Sequence, residues 1–155
     1  MDEKFYTSTE AAEITNCTRR QLQYWREKGV VVPTVNITGK GRNVYYSKSD
    51  LLVLTVMEYL LSIGLNFEVC HAALEALRER EAWLFDEFVP QEKMKQLMFL
   101  PTRSQEQPLK LAEFDKQVAL DALYQGQTVI PFWSDRIHQQ LRDNLNSFRH
   151  FAQDS

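Results

Sequence analysis

The sequence predicts a mainly α-helical fold with a small β-hairpin near its start and a minor α+β unit near its end. Three observations carry this. Thr7 with Glu10, Thr18 with Gln21 and Ser47 with Asp50 each set a hydroxyl three residues ahead of an acid or amide. At a helix start, such a pair satisfies two backbone N–H groups reciprocally. Alternating stretches at Val35 to Ile37 and Arg42 to Tyr46 flank Gly39-Lys40-Gly41, a glycine loop suited to a hairpin. A third segment, Phe67 to Phe88, spaces one row of side chains by alternating steps of three and four, as a helix with an apolar stripe does.

Taken in order, the first helix follows Thr7 and carries Ala11, Ala12 and Ile14. Only Asn16 and Cys17 separate it from the next cap, so the two helices share a tight turn and cross steeply. The second helix, Thr18 to about Lys28, sets Leu22 and Trp25 on one side and Arg19, Arg20, Gln23 and Arg26 on the other. Tyr24 lies between those faces, with a hydroxyl available to a phosphate. Gly29 stops the helix, Val30 to Pro33 leave it extended, and the hairpin presents Lys40 and Arg42 at or beside its tip. The third helix, Ser47 to about Ile63, is apolar on most sides and must therefore be covered all round.

Charge is distributed unevenly along this plan. Between Thr18 and Lys48 stand Arg19, Arg20, Arg26, Lys28, Lys40, Arg42 and Lys48 against the single acid Glu27, a local balance of +6 in a chain of net charge -3. A basic patch on an acidic protein is the electrostatic footprint of a polyanion, and double-stranded DNA is the partner expected. Arginine pairs with guanine edges or phosphate and glutamine with adenine, so the outer face of the second helix carries groups that major-groove recognition uses. A basic hairpin tip suits a phosphate backbone or a minor groove.

Helix, turn, helix, hairpin, helix is the order of a winged helix-turn-helix. Tyr6-Thr7, the Ala11-Ala12 helix, Leu22, Tyr24-Trp25-Arg26-Glu27-Lys28-Gly29, the glycine-rich loop with Arg42, and Tyr46-Ser47-Lys48-Ser49-Asp50-Leu51 resemble the DNA-binding domain of MerR-type transcriptional regulators. The resemblance covers roughly the first half of the chain and continues to Ile63-Gly64-Leu65-Asn66. It implies that Arg20, Gln23 and Tyr24 contact DNA from the recognition helix, that Arg42 does so from the wing, and that Tyr46 closes the wing. The chemistry of the helix face and hairpin adds Thr18, Arg19, Arg26, Lys28 and Lys40 to the expected DNA-binding set. Gln23 stands where many members of the family have arginine, which changes the target without changing the fold. A narrower resemblance, to the short cyanobacterial MerR-type repressors that accompany type V-K CRISPR-associated transposons, is carried by the compact tail.

Phe67, Cys70, Leu74, Leu77, Glu81, Leu84 and Phe88 form the stripe of the next segment, apolar at every position but Glu81. Continuous from Phe67 to Phe88, the helix would reach roughly 33 Å. The stripe suits its own domain, a symmetry mate, or both, its first half covering the third helix and its second reaching a neighbour, and the resemblance implies dimerisation. Leu74, Leu77, Leu84 and Phe88 are the expected dimer contacts, and a twofold dimer predicts an inverted-repeat operator at a promoter. The chain thus divides into a DNA-binding domain over 1–66, a linker and dimerisation helix over 67–89, and a small α+β unit over 90–155.

In that last unit, 95–100 reads equally as a strand paired with 108–111 or as a helix with Met94, Leu97 and Met98 on one side. A helix at 113–125 stopped by Gly126, a strand at 128–132 and a final helix from Ser134 follow. Phe99, Phe114, Tyr124, Phe132, Trp133, Phe148 and Phe151 supply either core mass or the walls of a ligand pocket.

Other classes find less support. With 155 residues, 44% of them hydrophobic and 12% aromatic, the chain can bury a core without disulfides. Cys17 and Cys70 belong to no ligand cluster, so no metal or cofactor is expected. The family's metal sensors place cysteines beyond the fourth helix, whereas none follows Cys70. Cys17 is either a small turn residue or, at a helix start, a low-pKa thiol able to act as an oxidation switch. No run approaches the roughly 18 apolar residues of a membrane span, and Asp2 and Glu3 do not open a secretory leader, so a cytoplasmic location is expected. Glu68 with His71, and Asp135 with His138 beside Ser134, make no metal triad or nucleophile elbow, and no enzyme is expected. The expected function is a homodimeric transcription regulator, most simply a repressor, with RNA polymerase a further partner if it activates instead. An excisionase-like DNA-bending factor and a ligand sensor are the alternatives.

Overall fold

In the computed structural model, which describes residues 4–36 and 44–154, the chain opens with β1 (Tyr6–Thr7), α1 (Ser8–Thr15) and α2 (Arg19–Glu27). It continues through β2 (Val35–Asn36) and β3 (Val44–Tyr46) into α3 (Lys48–Ser62) and α4 (Phe67–Arg80). All three expected capping boxes form. Thr7 Oγ1 accepts from the Glu10 N–H at 3.1 Å, Thr18 Oγ1 from Gln21 at 3.0 Å and Ser47 Oγ from Asp50 at 3.2 Å. The carboxylate or amide of Glu10, Gln21 and Asp50 accepts the cap's own N–H in return. The strands make an antiparallel sheet in the order β1, β3, β2, with Tyr6 opposite Tyr46 and Val35 opposite Tyr45. The tip of the expected hairpin, with Lys40 and Arg42, lies outside the described residues.

Helix α3 is the central core element its composition demands. Leu51, Leu54, Val56, Met57 and Leu60 have no accessible surface, because α1, α4 and α6 (Ser134–Asp154) cover it from different sides.

The continuous helix over 67–88 is corrected. Helix α4 ends at Arg80, a 3-10 turn occupies Ala82–Phe85, Asp86 leaves it in extended conformation, and a second 3-10 turn follows at Gln91–Lys93. Glu81, the one acid on the stripe, explains the break. It is buried, and its carboxylate takes hydrogen bonds from Trp83 Nε1 at 2.5 Å and Lys95 Nζ at 3.3 Å. A buried carboxylate needs such partners, and here both come from outside the helix. The expected dimer contacts Leu74, Leu77 and Leu84 are corrected with it. Leu74, Leu77 and Leu84 are fully buried against their own chain, while Phe88 leaves the helix and stands 77% exposed with Lys48 Nζ 5.4 Å from its ring centre. The stripe is core, with no surface left for a second chain at those leucines.

Beyond residue 90 the chain forms β4 (Gln96–Pro101), β5 (Leu109–Glu113), α5 (Lys116–Tyr124), β6 (Ile130–Trp133) and α6. The ambiguous 95–100 segment is the central strand of an antiparallel sheet ordered β5, β4, β6, with Phe99 paired to both Leu111 and Ile130. Three successive buried residues, Leu97 to Phe99, defeat the usual alternation because both faces of this strand are covered. Arg80 donates to the Leu111 carbonyl at 2.6 Å, tying α4 to β5. Ser134 locks the start of α6 to β4, its hydroxyl accepting the Lys95 N–H and donating to the Lys95 carbonyl, each at 2.8 Å.

This unit shares its core with the first 66 residues. Ile137, Leu141 and Leu145 of α6 join one buried cluster that runs back to Tyr6, and α6 lies across both α1 and α3. His138, buried on α6, sets Nε2 2.7 Å from the Leu84 carbonyl, and burial pushes its pKa below the usual histidine value. Among the described residues the aromatic side chains do not gather round one pocket; the Phe151 side chain lies outside them. Phe99 and Phe132 meet edge to face in the core at 5.7 Å, Phe114 meets Trp133 at 5.1 Å, and Tyr124 stands in solvent.

Candidate nucleic-acid interface

The turn between α1 and α2 is made by Asn16, in the left-handed conformation at φ 60°, which asparagine tolerates better than other residues with a side chain. Cys17 follows it into the core, its Sγ 3.8 Å from the Thr15 carbonyl. Burial pushes the thiol up to about 11, the opposite of the activation a helix start would give. The oxidation switch weighed for this residue is therefore corrected, since a protonated, enclosed thiol is neither nucleophilic nor accessible.

Thr18 caps α2, and Leu22 and Trp25 fasten it to the core. At the far end Gly29 takes φ +72° and closes the helix: its N–H bonds the Arg26 carbonyl at 3.0 Å and that of Val30 bonds Trp25 at 2.9 Å. Arg78 of α4 donates to the Val30 carbonyl at 2.8 Å, so this end of α2 is held from two sides. The outward side chains are then fixed by helix phase. Arg19, Arg20, Gln23 and Tyr24 are exposed, Lys28 also faces solvent, and Arg26 is half-buried at the flank.

Three of the arginines converge. A concavity of 390 Å³ beside α2 is lined by Ser8, Arg19, Arg20, Gln23, Arg26 and Tyr46. Arg19 and Arg20 make no ion pair among the described residues, so their guanidinium donors are available to an incoming anion. Tyr24 is braced from behind, with the Phe67 ring edge-on at 5.1 Å and Lys28 Nζ 5.6 Å from its centre.

Tyr46, expected to close the wing and counted with the DNA-binding residues, lies beneath the surface rather than on it. Its ring is 1% exposed, and burial pushes its hydroxyl up to about 12 with Arg26 opposing the shift, so it forms the floor of the concavity and stays protonated. Strand alternation instead turns its neighbour Tyr45 outward, 38% exposed, a residue not in the expected set. Glu27 also stands outside the expected set. It is exposed on the outer side of α2 and accepts a hydrogen bond from Gln23 Nε2 at 3.0 Å. The i, i+4 spacing is the signal that would have found it.

The base of the hairpin is secured by a three-residue lock. Thr34 donates from its N–H and its hydroxyl to Asp50 Oδ2, both at 2.7 Å, and Asp50 also accepts from the Ser47 N–H at 2.9 Å. Asp50→Ala is expected to lower stability by about 1–2 kcal/mol through loss of the cap and of the Thr34 bonds. Urea denaturation of the variant beside the parent measures this.

Residues 6–77 match the family described as MerR HTH family regulatory protein. Uncharacterized HTH-type transcriptional regulators of Mycobacterium bovis and Mycobacterium tuberculosis are 36% identical to this chain over 76 residues. That alignment covers 48% of the chain and 34% of each relative, so the chain spans about a third of the length of the curated relatives it matches.

Proposed function

We propose, because residues 6–77 match the MerR HTH regulatory family, that the protein is a sequence-specific DNA-binding transcription regulator. The convergence of Arg19, Arg20, Gln23 and Arg26 on one concavity beside α2 carries this reading. Helix α2 enters the major groove, with Arg20 and Gln23 toward base edges and Arg26 and Tyr24 toward phosphate. The segment between β2 and β3 acts as the wing, with Lys40 and Arg42 on the backbone. Repression by promoter occupancy is the simplest mechanism; activation through RNA polymerase is the other mode of the family. The narrower kinship with transposon-associated repressors is tested by whether the operator lies beside transposon genes.

The regulator works as a homodimer on an inverted repeat, through a surface other than the α4 stripe. Helix α5 supports this. Leu120, Leu123 and Tyr124, spaced i, i+3, i+4 along one side, are exposed large hydrophobics. Leu120→Asp with Leu123→Asp is expected to weaken self-association on the order of 100-fold, as removal of a central apolar anchor does. Sedimentation equilibrium would show monomer for the variant and dimer for the parent.

Footprinting on DNA upstream of the protein's own and neighbouring genes, at fixed salt and with random duplex as competitor, tests the whole reading. Protection of one inverted repeat overlapping a promoter supports a dimeric regulator. Tandem protected sites beside a recombination site would instead indicate an architectural DNA-bending factor.

A further inference from the structure

Between Thr18 and Lys48 the chain has seven cationic residues and one anion, Glu27. On an α-helix, positions 19, 20, 23 and 27 fall within about 100° of arc. The anion therefore shares the outer face of α2 with Arg19, Arg20 and Gln23, and it is exposed there. No lysine or arginine forms an ion pair with it among the described residues; its bond is to the Gln23 amide at 3.0 Å.

A carboxylate on a DNA-facing surface opposes binding wherever it meets phosphate, because both groups are negative and both only accept hydrogen bonds. The major-groove floor is different. Cytosine presents its N4 amino group there and adenine its N6 amino group, both donors, whereas guanine and thymine present acceptors at the corresponding positions. The bond to Gln23 matters in this setting. Gln23 spends one amide N–H on Glu27 and keeps its carbonyl oxygen and second N–H free, one acceptor and one donor, the pair an adenine edge requires.

We propose that Glu27 is a specificity-determining residue of the DNA interface, accepting a hydrogen bond from the exocyclic amino group of a cytosine or adenine, with its carboxylate positioned by Gln23. This rests on the DNA-binding function proposed above. Glu27 rejects guanine and thymine at its position, where acceptor faces acceptor, and so adds discrimination while lowering affinity for DNA in general.

Selection of the full-length protein on a randomised duplex library, followed by sequencing, tests this with the parent, Glu27→Gln, Glu27→Ala and Gln23→Ala. The parent is expected to demand an amino-bearing base at one position per half-site. Glu27→Ala is expected to lose about tenfold discrimination or more at that position alone, to keep the rest of the motif, and to bind random duplex more tightly. Gln23→Ala should blunt the same position in part and relax an adjacent one. Duplexes in which that cytosine lacks its N4 amino group, or that adenine its N6 amino group, identify the base read. If Glu27→Ala leaves every position of the motif unchanged, or changes affinity for all sequences alike, the assignment of Glu27 is overturned while DNA recognition stands. If the parent enriches no motif, the DNA-binding reading itself fails, and Glu27 with it.

Discussion

Arg20→Ala is expected to abolish specific DNA binding and leave the fold intact. The side chain is exposed on α2 and lines the concavity beside it, with no ion pair among the described residues to lose. A bidentate arginine–guanine contact discriminates by about 1–3 kcal/mol, and a twofold dimer loses it in both half-sites. Competition binding against operator and random duplex would show the specificity ratio collapse, with an unchanged thermal melting curve. Lys40→Ala is the contrast. A phosphate contact carries no sequence information, so all duplexes should weaken alike and the salt slope should fall by about one unit. Equal loss of specificity from both variants would contradict this division between base and backbone contacts.

Leu77→Ala should lower stability by about 2–5 kcal/mol, the range for truncating a fully buried leucine. Leu77 has no accessible surface and belongs to the cluster that joins α3, α4 and α6. The outcome separates two accounts of the α4 stripe. Loss from a packed monomer core lowers the urea midpoint at every protein concentration and leaves the association constant unchanged. Loss from an intersubunit seam would appear as dissociation on dilution. Sedimentation and urea melts at two concentrations decide between them, and the burial of Leu77 predicts the first.

Local chemistry was legible where partners lie close in sequence. The pairs Thr7–Glu10, Thr18–Gln21 and Ser47–Asp50 place three helix starts because cap and partner sit three residues apart. The faces of α2 followed from helical period, and Arg19, Arg20 and Gln23 stand in solvent as expected. What failed depended on distant contacts. Periodicity marks an apolar stripe but does not say whose side chains cover it, and at Glu81 the stripe breaks because the partner lysine comes from residue 95. Tyr45 was missed for a related reason: alternation in a strand gives two phases, and the pairing of Tyr46 with Tyr6 buries Tyr46 and turns Tyr45 outward. The 95–100 segment was undecidable locally because it is buried on both faces, a condition set by β5, β6 and the helices around them.

The position of α6 bears on the order in which this core can close. Ile137, Leu141 and Leu145 close a core that begins at Tyr6, and their helix rests on α1, the scaffold against which α2 is set. While the ribosome still holds the segment after residue 134, α1, α2 and α3 have been made but lack the cover of α6. Domains commonly fold in the order they emerge, whereas here the earliest segment waits for one of the latest. Removing α6 is therefore expected to loosen α1 and α3 together and, through α1, the seating of α2.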